Sequence, residues 1–151
     1  MRKNFLLAEK FWKFWGYVLD SLNSENACII VEGEHDRKVL MNLYVPRDRV
    51  ITTGDKPCQR IVEQVLDSFS KVYIFMDLDE GGSRKAGKLI SLLSSVGISV
   101  VNLWGLFMRF LGRFGFKSVR KVEELKKFSV YLPKSNKLIL RKIRRDIGTI
   151  V

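Results

Sequence analysis

The sequence predicts an α/β protein with a four-stranded, mainly parallel sheet flanked by helices. Three observations carry that reading. Four short apolar runs, at residues 27–32, 50–53, 71–76 and 98–103, have the length and β-branched content of buried strands. Stripes of apolar residues at helical spacing lie between them. The connections are short and hold glycine or proline. Alternation of this kind closes a parallel sheet through right-handed crossovers.

Each element follows in order. Residues 5–22 place apolar side chains close to a helical period, and Phe11, Trp12, Phe14, Trp15 and Tyr17 make that helix aromatic nearly all round. Such a helix needs cover on more than one side. The cover is either the domain itself or a second subunit in a homodimer, and base stacking is a third use. Ser24, Glu25 and Asn26 end the helix. The first strand runs into Glu32, Gly33 makes the turn, and residues 36–43 read as a helix with Asp36 as a candidate N-cap. The second strand is closed by Gly54, Asp55, Lys56 and Pro57, after which Ile61, Val62, Val65, Leu66 and Phe69 form a helical stripe. The third strand ends at Asp77. Gly81 and Gly82 then lead into a helix with Ala86, Leu89, Ile90 and Leu93 inward, and Gly97 stops it before the fourth strand. After Trp104 the alternation ceases. Helices are expected near 105–112 and 120–128, with a break at Pro133 and a basic amphipathic helix near 136–146. The organisation predicted is an N-terminal aromatic helix (1–26), an α/β domain (27–104) and a basic helical C-terminal extension (105–151).

Charge is unevenly placed. The 151 residues carry a net charge of +11. Thirteen Lys and Arg side chains between Arg109 and Arg145 face only Glu123 and Glu124, so this segment accounts for the whole excess. A polyanionic partner contacted by the C-terminal third is the expectation. Charge by itself does not separate nucleic acid from an acidic membrane. No long uncharged apolar stretch is present, so no membrane span is expected. The apolar start at Phe5 is cut off by Glu9 and Lys10, which argues against a secretory segment and for the cytoplasm. Cys28 and Cys58 have no metal-ligand spacing, and with a single histidine and no CxxC pair a zinc site is not expected.

Two strands end in carboxylates, the first at Glu32-Gly33-Glu34-His35-Asp36 and the third at Asp77-Leu78-Asp79-Glu80-Gly81-Gly82. In an open parallel sheet, ligands bind beyond such ends, where neighbouring connections leave on opposite faces. If the first and third strands are adjacent, Glu32 faces Asp77 and Asp79 across that crevice. Two carboxylate charges about 4 Å apart repel by roughly 4 kcal/mol at an effective dielectric near 20. A hard dication relieves that repulsion, and Mg²⁺ uses one or two carboxylates together with water and phosphate oxygens. Arg84, Lys85 and Lys88, at the start of the helix that follows, suit a phosphate.

The paired motifs V-E-G-x-x-D (Val31, Glu32, Gly33, Asp36) and D-x-D-x-x-G (Asp77, Asp79, Gly82) resemble the Toprim domain of topoisomerases, bacterial primases, the 5S-rRNA maturase nucleases and the OLD-family nucleases. Thr53-Gly54 sits where that family often places a glycine after its second strand. The resemblance covers about residues 27–104. In length and in its tail, the chain resembles small archaeal stand-alone Toprim proteins. The resemblance implies a Rossmann-like Toprim fold, Glu32 as general acid/base and metal ligand, and Asp77 and Asp79 as Mg²⁺ ligands, with Mn²⁺ as a substitute. It further implies support from Gly33, Asp36, Gly54 and Gly82. Where topoisomerases carry a third acidic position beyond D-x-D, this chain has Ser83 and Arg84.

A topoisomerase needs a tyrosine on a separate domain, and a primase needs a template-binding module; 151 residues leave room for neither. Two readings lead, with a phosphotransfer enzyme acting on a small nucleotide as a third. One is a small Mg²⁺-dependent nuclease of the maturase type acting on DNA or RNA. The other is a non-catalytic nucleic-acid-binding or adaptor protein with a metal-assisted phosphate site. In both, Arg109, Arg113, Lys137, Arg141, Lys142, Arg144 and Arg145 join Arg84, Lys85 and Lys88 in gripping the backbone.

Overall fold

Alternating side-chain direction along β1 (Ala27–Val31) sends Cys28 and Ile30 to one side of a sheet and Ile29 and Val31 to the other, and all five residues are buried. A strand buried on both faces must be central, and β1 is. The computed structural model describes residues 2–131. Four parallel strands, β1, β2 (Val50–Thr52), β3 (Lys71–Ile74) and β4 (Ser99–Asn102), lie in the order β2-β1-β3-β4. Ile29 pairs with Val50 on one side and with Tyr73 on the other, and Tyr73 pairs with Val101.

The helices are α1 (Arg2–Ser24), α2 (Glu34–Asn42), α3 (Cys58–Ser68), α4 (Glu80–Ser95) and α5 (Leu103–Leu111). Helices α3 and α4 cover one face, where Ile61, Val65, Leu89 and Leu93 meet Ile30, Val72 and Ile74. Helices α1, α2 and α5 cover the other, together with 3₁₀ turns at Gly112–Phe114 and Phe116–Ser118 and a 3₁₀ helix at Val122–Val130. Strand order therefore reverses between β1 and β3. This is the predicted α/β architecture, Rossmann-like in its parallel sheet and crossovers.

The aromatic helix α1 finds its cover within the chain. Phe11, Trp12, Phe14 and Trp15 are buried, and of its five central aromatic residues only Tyr17 is exposed. Buried indoles need acceptors. Trp12 Nε1 donates to the Phe128 carbonyl at 3.0 Å and Trp15 Nε1 to the Leu43 carbonyl at 2.8 Å. Phe11 stacks on Phe128 at 4.2 Å, and Phe107 on Phe116 at 4.5 Å. One aromatic core thus joins α1, α5 and residues 116–128, and it runs across the 104/105 boundary, which falls inside α5.

Three details differ from the sequence-based expectation. The helix expected near 120–128 is 3₁₀ rather than α, because Val122, Leu125 and Phe128 recur every third residue and all point inward. Asp36 is not the N-cap of α2; Gly33 holds that position, and Asp36 sits three residues in with Oδ2 accepting from the Gly33 N–H at 3.4 Å. Asp79, read as a strand end, is the N-cap of α4. The break at Pro133, the helix near 136–146 and the cations Lys137, Arg141, Lys142, Arg144 and Arg145 lie outside the described residues. Among the described residues no helix is long and apolar enough to cross a membrane.

Candidate functional site

The C-terminal ends of β1 and β3 lie side by side at the reversal of strand order, so their exit loops share one crevice. Glu32 leaves β1 there, exposed. Asp77, half-buried, follows β3 after Phe75 has extended the pairing by donating its N–H to the Ile30 carbonyl at 2.8 Å. The loop after β2 closes the near side. Its Thr53 and Gly54 N–H groups donate to the Val31 and Glu32 carbonyls at 2.9 and 2.8 Å. Gly54 has φ +47°, the left-handed region where a side chain is strained, and this explains glycine at that position. Lys85 reaches from α4 to the Gly54 carbonyl at 2.5 Å, tying the β2 and β3 exit loops together.

Gly82 has a different reason. Its N–H donates to Asp79 Oδ1 at 2.6 Å, and a Cβ there would lie far inside contact distance of the Asp77 carbonyl oxygen. The D-x-D-x-x-G spacing is thus a local packing requirement: the first turn of α4 presses against the backbone of Asp77 and is capped by Asp79. Gly33, by contrast, has an extended backbone (φ −137°) and open space where a side chain would sit. The turn there does not require glycine.

Charge at the crevice is one-sided. Asp36 points back from α2, and its carboxyl is pushed above the usual range, first by burial and then by the negative charge of Asp77, with Glu32 adding to it. The Gly33 N–H and His35 offset part of that shift. Among the described residues no Lys or Arg forms an ion pair with Glu32, Asp36, Asp77 or Asp79. In a chain of net charge +11, that leaves this crevice as a negative site without a Lys or Arg counter-charge among the described residues.

The donor set is all oxygen, which suits Mg²⁺ or Mn²⁺. Asp77 spends Oδ1 on the Val122 N–H at 2.9 Å and Asp79 spends Oδ1 on Gly82, so each keeps one oxygen. Among the described residues no three His, Cys, Asp or Glu side chains converge tightly enough to hold a metal by themselves. The set therefore fits an ion held by one or two carboxylates that completes its shell with water or phosphate oxygens.

The expected cations divide. Arg84 is drawn to Glu80 at 3.2 Å, Lys85 to the Gly54 carbonyl, and Lys88 is exposed. Arg109 on α5 and Arg113 in the 3₁₀ turn after it are exposed, over the rings of Phe110 and Phe114. Sequence reasoning missed the segment that closes the crevice from above. Besides Val122, the Arg120 carbonyl accepts from the Leu78 N–H at 2.8 Å, and Trp104 Nε1 donates to the Met76 carbonyl at 2.5 Å. His35 Nε2 lies 3.4 Å from Glu123 Oε1, pinning α2 to the same segment. Glu124 Oε2 accepts from the N–H groups of Arg120 and Lys121, which holds its carboxyl below the usual range.

No family model matches this chain, and no curated protein matches it. Among solved structures, a protein from Aquifex aeolicus is similar over 73% of this chain and 94% of its own, with 29% sequence identity and a TM-score of 0.59. That likeness supports the α/β fold and brings no activity with it.

Proposed function

We propose that this chain is a Toprim-type, Mg²⁺-dependent protein that cleaves phosphodiesters in nucleic acid, working in the cytoplasm. One observation carries the reading: Glu32, Asp36 and Asp77 form an acidic crevice, unpaired by any described cation, at the point of the sheet where α/β proteins bind ligands. Bound there, Mg²⁺ would supply charge neutralisation and polarise a phosphate oxygen. Asp77 and Glu32 would hold it, with the free oxygen of Asp79 alongside. Glu32 is exposed and makes no described hydrogen bond through its carboxylate, so it is free to take a proton from water and return one to the leaving oxygen. The N-terminus of α4, with Arg84 exposed just beyond its first turn and Lys88 one turn further along, suits the phosphate itself. Cys28 and Cys58 are free thiols, in keeping with a reducing compartment.

A second reading is favoured by the engaged oxygens of Asp77 and Asp79. Carboxylates that cap a helix and anchor a strap already have structural work, which suits a nucleic-acid-binding or adaptor protein that keeps the crevice for docking phosphates. Cleavage of end-labelled DNA and RNA with Mg²⁺, with Mn²⁺ and with chelator separates the two. Metal-dependent cleavage that Glu32→Gln abolishes, at an affinity within a few-fold of wild type, is the expected outcome. A wild-type protein that binds these substrates but cuts none of them leaves the adaptor reading standing.

A further inference from the structure

A groove of about 580 Å³ opens between α1 and the α5 to Phe114 segment, on a part of the surface whose residues are distinct from those of the carboxylate crevice. Phe14 and Leu111, both buried, line it from the core side. Around them stand three aromatic rings and three cations: Tyr17, Phe110 and Phe114 with Lys10, Lys13 and Arg113. Tyr17 is 66% exposed and Phe110 51%. The Phe114 ring lies under Lys10 Nζ at 5.5 Å and Arg113 at 5.4 Å, and Arg109 covers Phe110 at 5.8 Å. No Asp or Glu lines the groove among the described residues.

We infer that this groove binds single-stranded nucleic acid, stacking a base against its exposed rings and setting the flanking phosphates on its lysines and arginines. The inference rests on the nucleic-acid reading above but not on cleavage. Interleaved rings and cations supply the two interactions a single strand offers, base faces and a charged backbone, whereas a duplex hides its base faces. One ring of the platform is also anchored to the core. Phe110 stacks on Phe14 at 5.4 Å, and Phe14 in turn packs on Phe107 in the core, so a base arriving there orders little that is not already fixed.

Charge selects among other occupants. A second copy of the chain would set this cationic groove against its own kind in a two-fold interface. The chain's residues 132–151 carry six cations against Asp146, the same sign as the groove. An anionic membrane has the right sign, but surface insertion uses a protruding apolar face rather than a cleft rimmed by cations.

The test is fluorescence anisotropy of the full chain with labelled oligo(dT) and oligo(U) of about twelve nucleotides, against a duplex of equal length. The single strands should bind more tightly than the duplex. Tyr17→Ala/Phe110→Ala, which removes two exposed rings, should weaken single-strand binding by about tenfold or more. Lys10→Gln/Lys13→Gln should lower the slope of log affinity against log salt by about 1.4, at about 0.7 per phosphate contact. Lys38→Gln, an exposed cation on α2, should leave both unchanged. If the wild type binds oligonucleotides and both double variants match it, the groove assignment falls while the nucleic-acid reading stands. If the wild type binds no oligonucleotide at low salt, both fall. Groove-dependent binding to phosphatidylserine vesicles without oligonucleotide binding would replace this partner with a membrane.

Discussion

On the face of the sheet covered by α3 and α4, the core is aliphatic and comes from residues between Cys28 and Leu93; on the opposite face it is rich in aromatic rings and spans Leu7 to Phe128. The first face is assembled by successive crossovers, each helix packing on the strands it connects. The second gathers the two ends of the described chain, and its distant segment supplies the Val122 N–H, the Arg120 carbonyl and the Trp104 indole that hold residues 76–78. One face therefore builds the sheet and the other positions the crevice. Damage to the aromatic face should reach the site; damage to the aliphatic face should not.

The strongest way to break that contrast is at Phe107, whose ring meets those of Phe11, Phe14, Trp15, Phe75, Trp104 and Phe116. Phe107→Ala should cost about 3–5 kcal/mol, and Leu89→Ala on the other face about 2–5 kcal/mol. Chemical denaturation measures both. The discriminating result is Mg²⁺-induced stabilisation at a temperature where both variants are folded: retained in Leu89→Ala, diminished in Phe107→Ala. Equal retention would sever the aromatic face from the site.

Metal binding sharpens the same point. At a hundred times its dissociation constant, a ligand of the native state adds about 2.7 kcal/mol, read as a rise in Tm. Asp77→Asn keeps an oxygen for the Val122 N–H but removes the charge, so it should abolish most of the Mg²⁺ effect with little loss of intrinsic stability. Asp77→Ala loses both and should in addition destabilise the apo protein by about 1–3 kcal/mol. If Mg²⁺ protects wild type and Asp77→Asn equally, the ion sits elsewhere.

Gly82 lies where α4, an aliphatic-face helix, touches the crevice. A methyl group there collides with the Asp77 carbonyl, and overpacking of this kind costs about 1–3 kcal/mol. Gly82→Ala should therefore be the substitution on the α4 side that also weakens the Mg²⁺ effect. Gly33→Ala, where nothing lies within 4 Å of the added Cβ, should be near neutral by thermal melt.

The smallest expected effect is at Glu124. Its carboxyl is depressed below its ordinary value of 4.5, chiefly by the N–H groups of Arg120 and Lys121. For a depressed acid the stabilisation is present above the unfolded-state value and is lost as pH falls through the lower folded-state value. Glu124→Gln should thus reduce stability slightly at pH 7 and flatten the acid side of a Tm-against-pH curve below about 4.5. An unchanged acid limb would mean that the turn at 120–122 is held by its apolar contacts alone.

Much of the fold was legible because its cues are local. Continuous apolar runs marked the strands, and Gly54 and Gly82 sit where backbone geometry excludes side chains. The adjacency of β1 and β3 that brings Glu32 towards Asp77 was a condition in the sequence reading, and the strand order supplies it. Other features were hidden in pairings distant along the chain. Nothing near Asp77 announces that its partner is Val122, 45 residues on, and a polar strand end looks the same whether it awaits a ligand or accepts a backbone N–H. The three-residue period of Val122, Leu125 and Phe128 was visible, yet it reads as a frayed α-helix until the aromatic core shows which face is inward.

By itself, then, the chain determined a parallel α/β sheet, a helix too aromatic to stand alone and two carboxylate-bearing strand ends, because apolar periodicity and backbone sterics act within a few residues. Only the tertiary structure decided that the aromatic helix is covered by the chain's own β1, Leu43, Tyr44 and residues 107–128, that Asp77 and Asp79 each keep a single free oxygen among the described residues, and that Tyr17 and Phe110 meet at a cationic groove. Those outcomes depend on which buried N–H and C=O groups and which rings find partners across the fold, and burial obliges each of them to find one.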